Sequence, residues 1–141
     1  MFKRKTIINN NRMKNEYRIL AISILVMLCL NFFGSIASRI FDFNYAYLSP
    51  LSFILYGLIG YLISKQQNLK TGTLFAAILG FTESTIGSFV AKLFGEPNTA
   101  GFQMEMTMSI WIFTIIMVTI LASFSGLIGG VIARSLKKKG K

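Results

Sequence analysis

Histidine is absent from the 141 residues, and Cys29 is the single cysteine. An intramolecular disulfide cannot form, and zinc or iron–sulfur sites of the usual Cys/His type cannot be built within one chain. A Ser-His-Asp triad is excluded for the same reason. Cys29 lies deep in an apolar run, where a thiol is expected to be buried and inert. Acidic residues are also scarce, 5 against 15 lysines and arginines, which leaves a net charge of +10. Only Glu83 lies inside a long apolar run. With no second carboxylate at that depth there is no acid/base pair and no second metal ligand. No glycine-rich loop has the spacing of a nucleotide cradle. These absences predict a chain with no enzymatic activity, no cofactor and no metal site.

Hydrophobic residues make up 53% of the chain and come in long blocks. The blocks cover about 19–41, 48–64, 71–94 and 108–135, each long enough to cross about 30 Å of hydrocarbon or close to it. The predicted fold is an all-α integral membrane protein with four transmembrane helices, flanked by basic tails at 1–18 and 136–141. The first tail, with its Asn triplet at 9–11, is expected to be flexible, turning helical near Lys14. Pro50 suits the first turn of the second span, where a missing N–H does no harm. Tyr45 and Tyr47 suit an interfacial belt, and Glu96-Pro97-Asn98 reads as a turn that stops the third helix.

The basic residues flank the apolar blocks and do not interleave with aromatics on a polar surface, so nucleic acid is not an expected partner. Their distribution instead follows the positive-inside rule. Thirteen of them (Lys3, Arg4, Lys5, Arg12, Lys14, Arg18, Lys65, Lys70, Arg134, Lys137, Lys138, Lys139 and Lys141) fall in segments on one side, against Arg39 and Lys92 on the other. This predicts a multi-pass protein of a cell membrane, the plasma membrane or a bacterial inner membrane, with both termini cytoplasmic. The expected partners are the lipid bilayer and another membrane protein or further copies of the chain.

The two halves of the chain resemble each other. Gly34-Ser35-Ile36-Ala37-Ser38-Arg39-Ile40-Phe41 matches Gly87-Ser88-Phe89-Val90-Ala91-Lys92-Leu93-Phe94, an offset of 53 (34 to 87). Tyr56-Gly57-Leu58-Ile59-Gly60 matches Ser125-Gly126-Leu127-Ile128-Gly129, an offset of 69 (57 to 126). The order of the two motifs is preserved, which predicts two tandem helix hairpins forming a parallel internal repeat about an axis along the membrane normal. Glycines Gly34, Gly57, Gly60, Gly80, Gly87, Gly126 and Gly129 are predicted to mark close helix packing.

The third block carries the chemistry. Gly72, Ala76, Gly80, Ser84, Gly87 and Ala91 recur every three or four residues and form one small-residue face. Glu83 is set beside it in Thr82-Glu83-Ser84-Thr85, the only polar cluster within a span. An ionised carboxylate at mid-membrane costs at least about 2.5 kcal/mol, so Glu83 is expected to be neutral and to face protein. Under the repeat, Asn31 takes the position of Ser84, and Asn31, Ser84 and Thr85 are the expected partners of Glu83. Asn31, Ser35 and Ser38 share a face of the first span that is expected to meet protein. Two functions fit these residues, the first expected and the second its alternative. One is a non-enzymatic accessory, interaction or envelope factor acting through helix–helix contacts. The other is a small oligomeric proton-coupled transporter or channel using Glu83. Glu83 packed against Asn31 with no cavity favours the first; Glu83 facing a cavity favours the second.

Overall fold

A computed structural model describes the backbone of residues 2–93 and 107–139 and the side chains of 15–90, 93 and 107–138. Helix α1 spans Phe2–Ile40, α2 Ser49–Gln66, α3 Leu69–Thr82, α4 Ser88–Leu93 and α5 Met108–Lys139. A 3₁₀ turn at Tyr45–Leu48 leads into α2, and a π-helical turn at Glu83–Gly87 joins α3 to α4 in one continuous rod. No strand occurs among the described residues. Four helical stretches are long and apolar enough to cross a membrane: Asn15–Ile40, Tyr45–Gln66, Leu69–Val90 and Met108–Lys138. The basic tail expected to be flexible continues α1 as helix back to Phe2. The turn expected at 96–98 and the small-face position Ala91 lie outside the described residues and side chains.

Local chemistry sets the boundaries. Asp42 adopts φ 50°, a left-handed conformation that a short polar side chain tolerates, and it turns the chain after α1. The Asn44 side chain accepts from the Ala46 N–H at 2.9 Å and starts the 3₁₀ turn. Pro50 sits in the first turn of α2, as the sequence predicts. Asn68 caps α3 by accepting from the Thr71 N–H at 2.8 Å, so the α2–α3 connection needs only two residues.

The outside of the bundle is apolar and the inside partly polar. Leu25, Ile54, Phe89, Phe113 and Phe124 are exposed, while Ser35, Ser38, Ser52, Ser64 and Ser84 are buried. That inversion is what a multi-pass membrane protein requires, since lipid tails are as apolar as leucine and helix association depends on close packing and hydrogen bonds. Asn31, Ser35 and Ser38 are buried together, as their shared face predicts. Cys29, expected to be buried, points outward. Its depth along the helix was legible in the sequence; its face depends on how α1 rotates onto its neighbours.

The tightest packing joins α2, α3 and α5. Tyr56, Ile59 and Ile63 of α2 meet Phe75, Ala76 and Leu79 of α3 and Ala122 of α5, with Met27 of α1 added at the edge. The two Gly-Leu-Ile-Gly motifs pack on each other where α2 crosses α5. A methyl on Gly60 would lie 2.1 Å from the Gly126 carbonyl oxygen, and one on Gly129 would lie 2.0 Å from that of Gly57. Exchanging Gly57 with Gly126 and Gly60 with Gly129 converts one approach into the other, so this crossing is locally two-fold. Gly80 lies against Ala122 of α5, and Gly34 accommodates Leu48 and Tyr45 of the 3₁₀ turn. The two-fold relation stops at α1. Helices α2 and α3 pack together, but the backbones of α1 and α5, the pair that would mirror them, do not come within 8 Å of each other, Cα to Cα, among the described residues.

The bundle therefore differs between its two halves. Toward the α2–α3 connection it is closed by glycine contacts. Toward the α1–α2 connection, no Cα of α2 comes within 8 Å of a Cα of the π-helical turn or of α4 among the described residues. The helices diverge there and leave a chamber.

Candidate functional site

Glu83 opens the π-helical turn, which inserts an extra residue into the helical register. Such a turn strains the carbonyl ladder of the preceding turn, and three hydroxyls of the surrounding sequence satisfy it. Thr82 donates to the Ile78 carbonyl at 2.8 Å, Ser84 to that of Gly80 at 2.9 Å, and Thr85 to that of Phe81 at 2.7 Å. Ser84 and Thr85 thus serve their own backbone; they are not the Glu83 partners that the sequence suggests.

The Glu83 side chain reaches across the gap to α2. Its Oε1 accepts from Ser52 Oγ at 2.7 Å. Its Oε2 is buried with no hydrogen-bond partner. Glu83 borders a chamber of about 320 Å³ lined from all four spans: Asn31 of α1, Tyr45 before α2, Ser52 of α2, Glu83 of the π turn and Thr114 of α5 are among its residues. Phe53 and Tyr56 of α2 and Val118 and Leu121 of α5 form its apolar wall. Among the described residues no Lys or Arg lines it.

Asn31 reaches the same chamber but bonds elsewhere. Its Nδ2 donates to the Met27 carbonyl at 2.9 Å, and its Oδ1 accepts from the Tyr45 hydroxyl at 2.6 Å. Gly87 makes this possible, since a methyl there would come within 2.9 Å of Asn31 Nδ2. The sequence reading thus placed Asn31 and Glu83 in one neighbourhood correctly but paired them directly, which the structure does not. The glutamate's partner is Ser52, whose hydroxyl lies within reach because Ser49-Pro50-Leu51-Ser52 opens the second span. Tyr45, read as an interfacial residue, instead ties the entry to α2 onto α1. Two serines at the start of an apolar span were the available signal for the first of these; nothing local marks Tyr45.

Away from the chamber, Gln67 Nε2 donates to the buried Glu16, and Asn15 Nδ2 donates to Gln66 Oε1 at 3.1 Å. These bonds tie α1 to the α2–α3 connection at the closed end. Among the described residues no three His, Cys, Asp or Glu side chains converge as a metal-binding group. No protein-family model matches the chain, and no curated protein and no solved structure matches it.

Proposed function

We propose that this protein is a small membrane carrier in which Glu83 exchanges a proton for a solute held in the chamber. The observation that carries the reading is the buried, unpartnered Oε2 of Glu83 at the edge of a cavity bounded by all four spans. A purely structural acid would be expected to have both oxygens bonded to protein, because an unsatisfied buried acceptor costs about 1–3 kcal/mol. A buried oxygen left unpartnered on a residue that borders a cavity has a reason to be there if a ligand entering the cavity completes it. No reaction is assigned, since the chamber holds one carboxylate and no activated nucleophile.

The proposal includes the finer features of the membrane reading. Both termini face the cytoplasm, so the chamber opens in the outer half. The chain is a parallel repeat of two hairpins, supported by the two-fold glycine crossing and broken at α1, where the separation of the α1 and α5 backbones leaves room for the chamber. Four helices barely enclose a path, so the carrier works as a homo-oligomer. The experiment is reconstitution into liposomes containing a pH dye, with an imposed pH gradient and a panel of amines, amino acids, sugars and organic acids. At least one solute class is expected to drive proton flux through the native protein and none through folded Glu83→Gln. Equal flux through both would refute the carrier.

The second reading, a non-enzymatic accessory or envelope factor acting through helix contacts, is favoured by one observation. The described backbones of α1 and α5 stand apart, and the side between them could receive a partner's helix. Purification in mild detergent with a stoichiometric membrane partner, together with unimpaired function of Glu83→Gln, would support it over the carrier.

A further inference from the structure

We propose that the solute is a small primary ammonium ion bearing an apolar substituent. The inference deepens the carrier reading and rests on it. Its basis is the polarity of the chamber's hydrogen-bonding groups. Seven hydroxyls line the chamber, and five of them, all but those of Tyr56 and Ser88, donate their protons to protein. Tyr45 donates to Asn31, Ser49 to the Ala46 carbonyl, Ser52 to Glu83, Ser84 to the Gly80 carbonyl and Thr114 to the Ile110 carbonyl. A hydroxyl that has donated presents only lone pairs. The Glu83 Oε2 adds a further acceptor with no donor facing it. Among the described residues the lining thus offers more acceptors than free donors and no cationic side chain. The ligand it completes must bring N–H or O–H donors, and against an ionised carboxylate it must bring positive charge.

Size and wall chemistry narrow the class. The chamber's 320 Å³ lies at the lower end of the roughly 300–1,000 Å³ usual for small-molecule sites. That is far more than a bare ion fills. A hard metal cation needs six or more oxygens converging at about 2.3–2.6 Å, or a compact octahedron, and one carboxylate with dispersed hydroxyls does not provide that. Phe53, Tyr56, Val118 and Leu121 supply a wall that suits a hydrocarbon group, and the two aromatic rings favour a neighbouring cation. An anion would meet Glu83 with no positive partner among the described residues.

Binding balances as a proton exchange. The neutral Glu83 carboxyl loses its proton to water at the chamber mouth, and the resulting carboxylate accepts N–H bonds from the incoming ammonium. The charge of the site plus ligand thereby equals that of the empty, protonated site, and one proton leaves per ion bound.

The test uses the full chain in lipid nanodiscs, with propylammonium, benzylammonium, tetramethylammonium, propanol, benzyl alcohol, propionate, NaCl and KCl as probes. Thermal unfolding reports binding, and a pH-indicator dye reports proton release. Propylammonium and benzylammonium are expected to raise the unfolding temperature and to release up to one proton each. They should bind at least about tenfold more tightly than the alcohols or tetramethylammonium, which lacks N–H donors. Glu83→Gln should abolish both signals. Thr114→Phe, which fills the chamber without altering the carboxyl, should abolish binding while leaving Glu83 in place. The two variants together guard against loss of fold in either. Equal protection by propanol, by propionate or by sodium or potassium alone, lost in Glu83→Gln, would overturn the ammonium class and leave the carrier reading standing. If no solute at all acts through Glu83 here or in the liposome panel, the carrier reading fails with it.

Discussion

Ser52 and Glu83 stand 31 residues apart on different helices, yet their 2.7 Å hydrogen bond is the polar contact on which the chamber turns. Replacing Glu83 by Leu leaves Ser52 Oγ without its acceptor, whereas Gln retains an oxygen for it. The expected outcome is that Glu83→Gln unfolds within about 1 kcal/mol of the native protein and Glu83→Leu loses about 1–3 kcal/mol, read from reversible unfolding in mixed micelles. Ser52→Ala tests the same bond from α2. It strips the last partner from the carboxyl group, so it should weaken ammonium binding less than Glu83→Gln does but more than Thr85→Val, which faces only its own helix backbone. Equal effects of Ser52→Ala and Thr85→Val on binding would mean that the α2 hydroxyl does not orient the carboxylate. The residue types of the site were legible early, because a lone acid within an apolar block is conspicuous. Its partner was not, because the hydrogen bond joins positions that no local periodicity relates.

Among the helices, the α2–α5 crossing depends on backbone meeting backbone. Within one Gly-Leu-Ile-Gly motif the two glycines should respond differently. A methyl on Gly60 would fall 2.1 Å from the Gly126 carbonyl oxygen, while one on Gly57 meets nothing nearer than Ser125 Oγ at 3.4 Å. Gly60→Ala must push the helices apart and is expected to destabilise by about 1–3 kcal/mol. Gly57→Ala should be neutral or stabilising by up to about 1 kcal/mol, since alanine favours helix over glycine. Matching losses for both variants in thermal unfolding would contradict this crossing. The small-residue face of the third span was visible in the spacing of Gly72, Ala76, Gly80, Ser84 and Gly87, and all five are buried. The π-helical turn was not visible. It is held by tertiary packing that shifts the register, and the Thr82, Ser84 and Thr85 hydroxyls make that shift tolerable.

At the scale of the whole molecule, the closed and open halves follow from where small and large residues fall. Glycines close the half near the α2–α3 connection. Tyr45, Phe53 and Tyr56, together with the reach of Glu83, hold the helices apart in the other. The proposed orientation puts the open half outside. In a Cys29→Ser background, Tyr47→Cys should react with a membrane-impermeant maleimide on intact cells, and Gln66→Cys only after lysis. Both side chains are exposed, Tyr47 in the 3₁₀ turn before α2 and Gln66 at the end of α2. Labelling of both from outside, or of Gln66→Cys alone, would reverse or refute the orientation.

Composition and periodicity by themselves determined that the chain is all-helical, that it has four helices of membrane-spanning length and where the acid lies among them. These are properties of contiguous segments, set by apolar run length, by helical spacing and by proline and asparagine at the ends. Tertiary structure alone decided that Asn31 bonds Tyr45 and not Glu83, that Ser52 takes the carboxyl, that Cys29 faces outward and that the described backbone of α1 stands apart from that of α5. Each depends on how one helix is rotated and displaced against another. That rotation is settled by the sum of many side-chain contacts across the bundle, and no single stretch of sequence contains it.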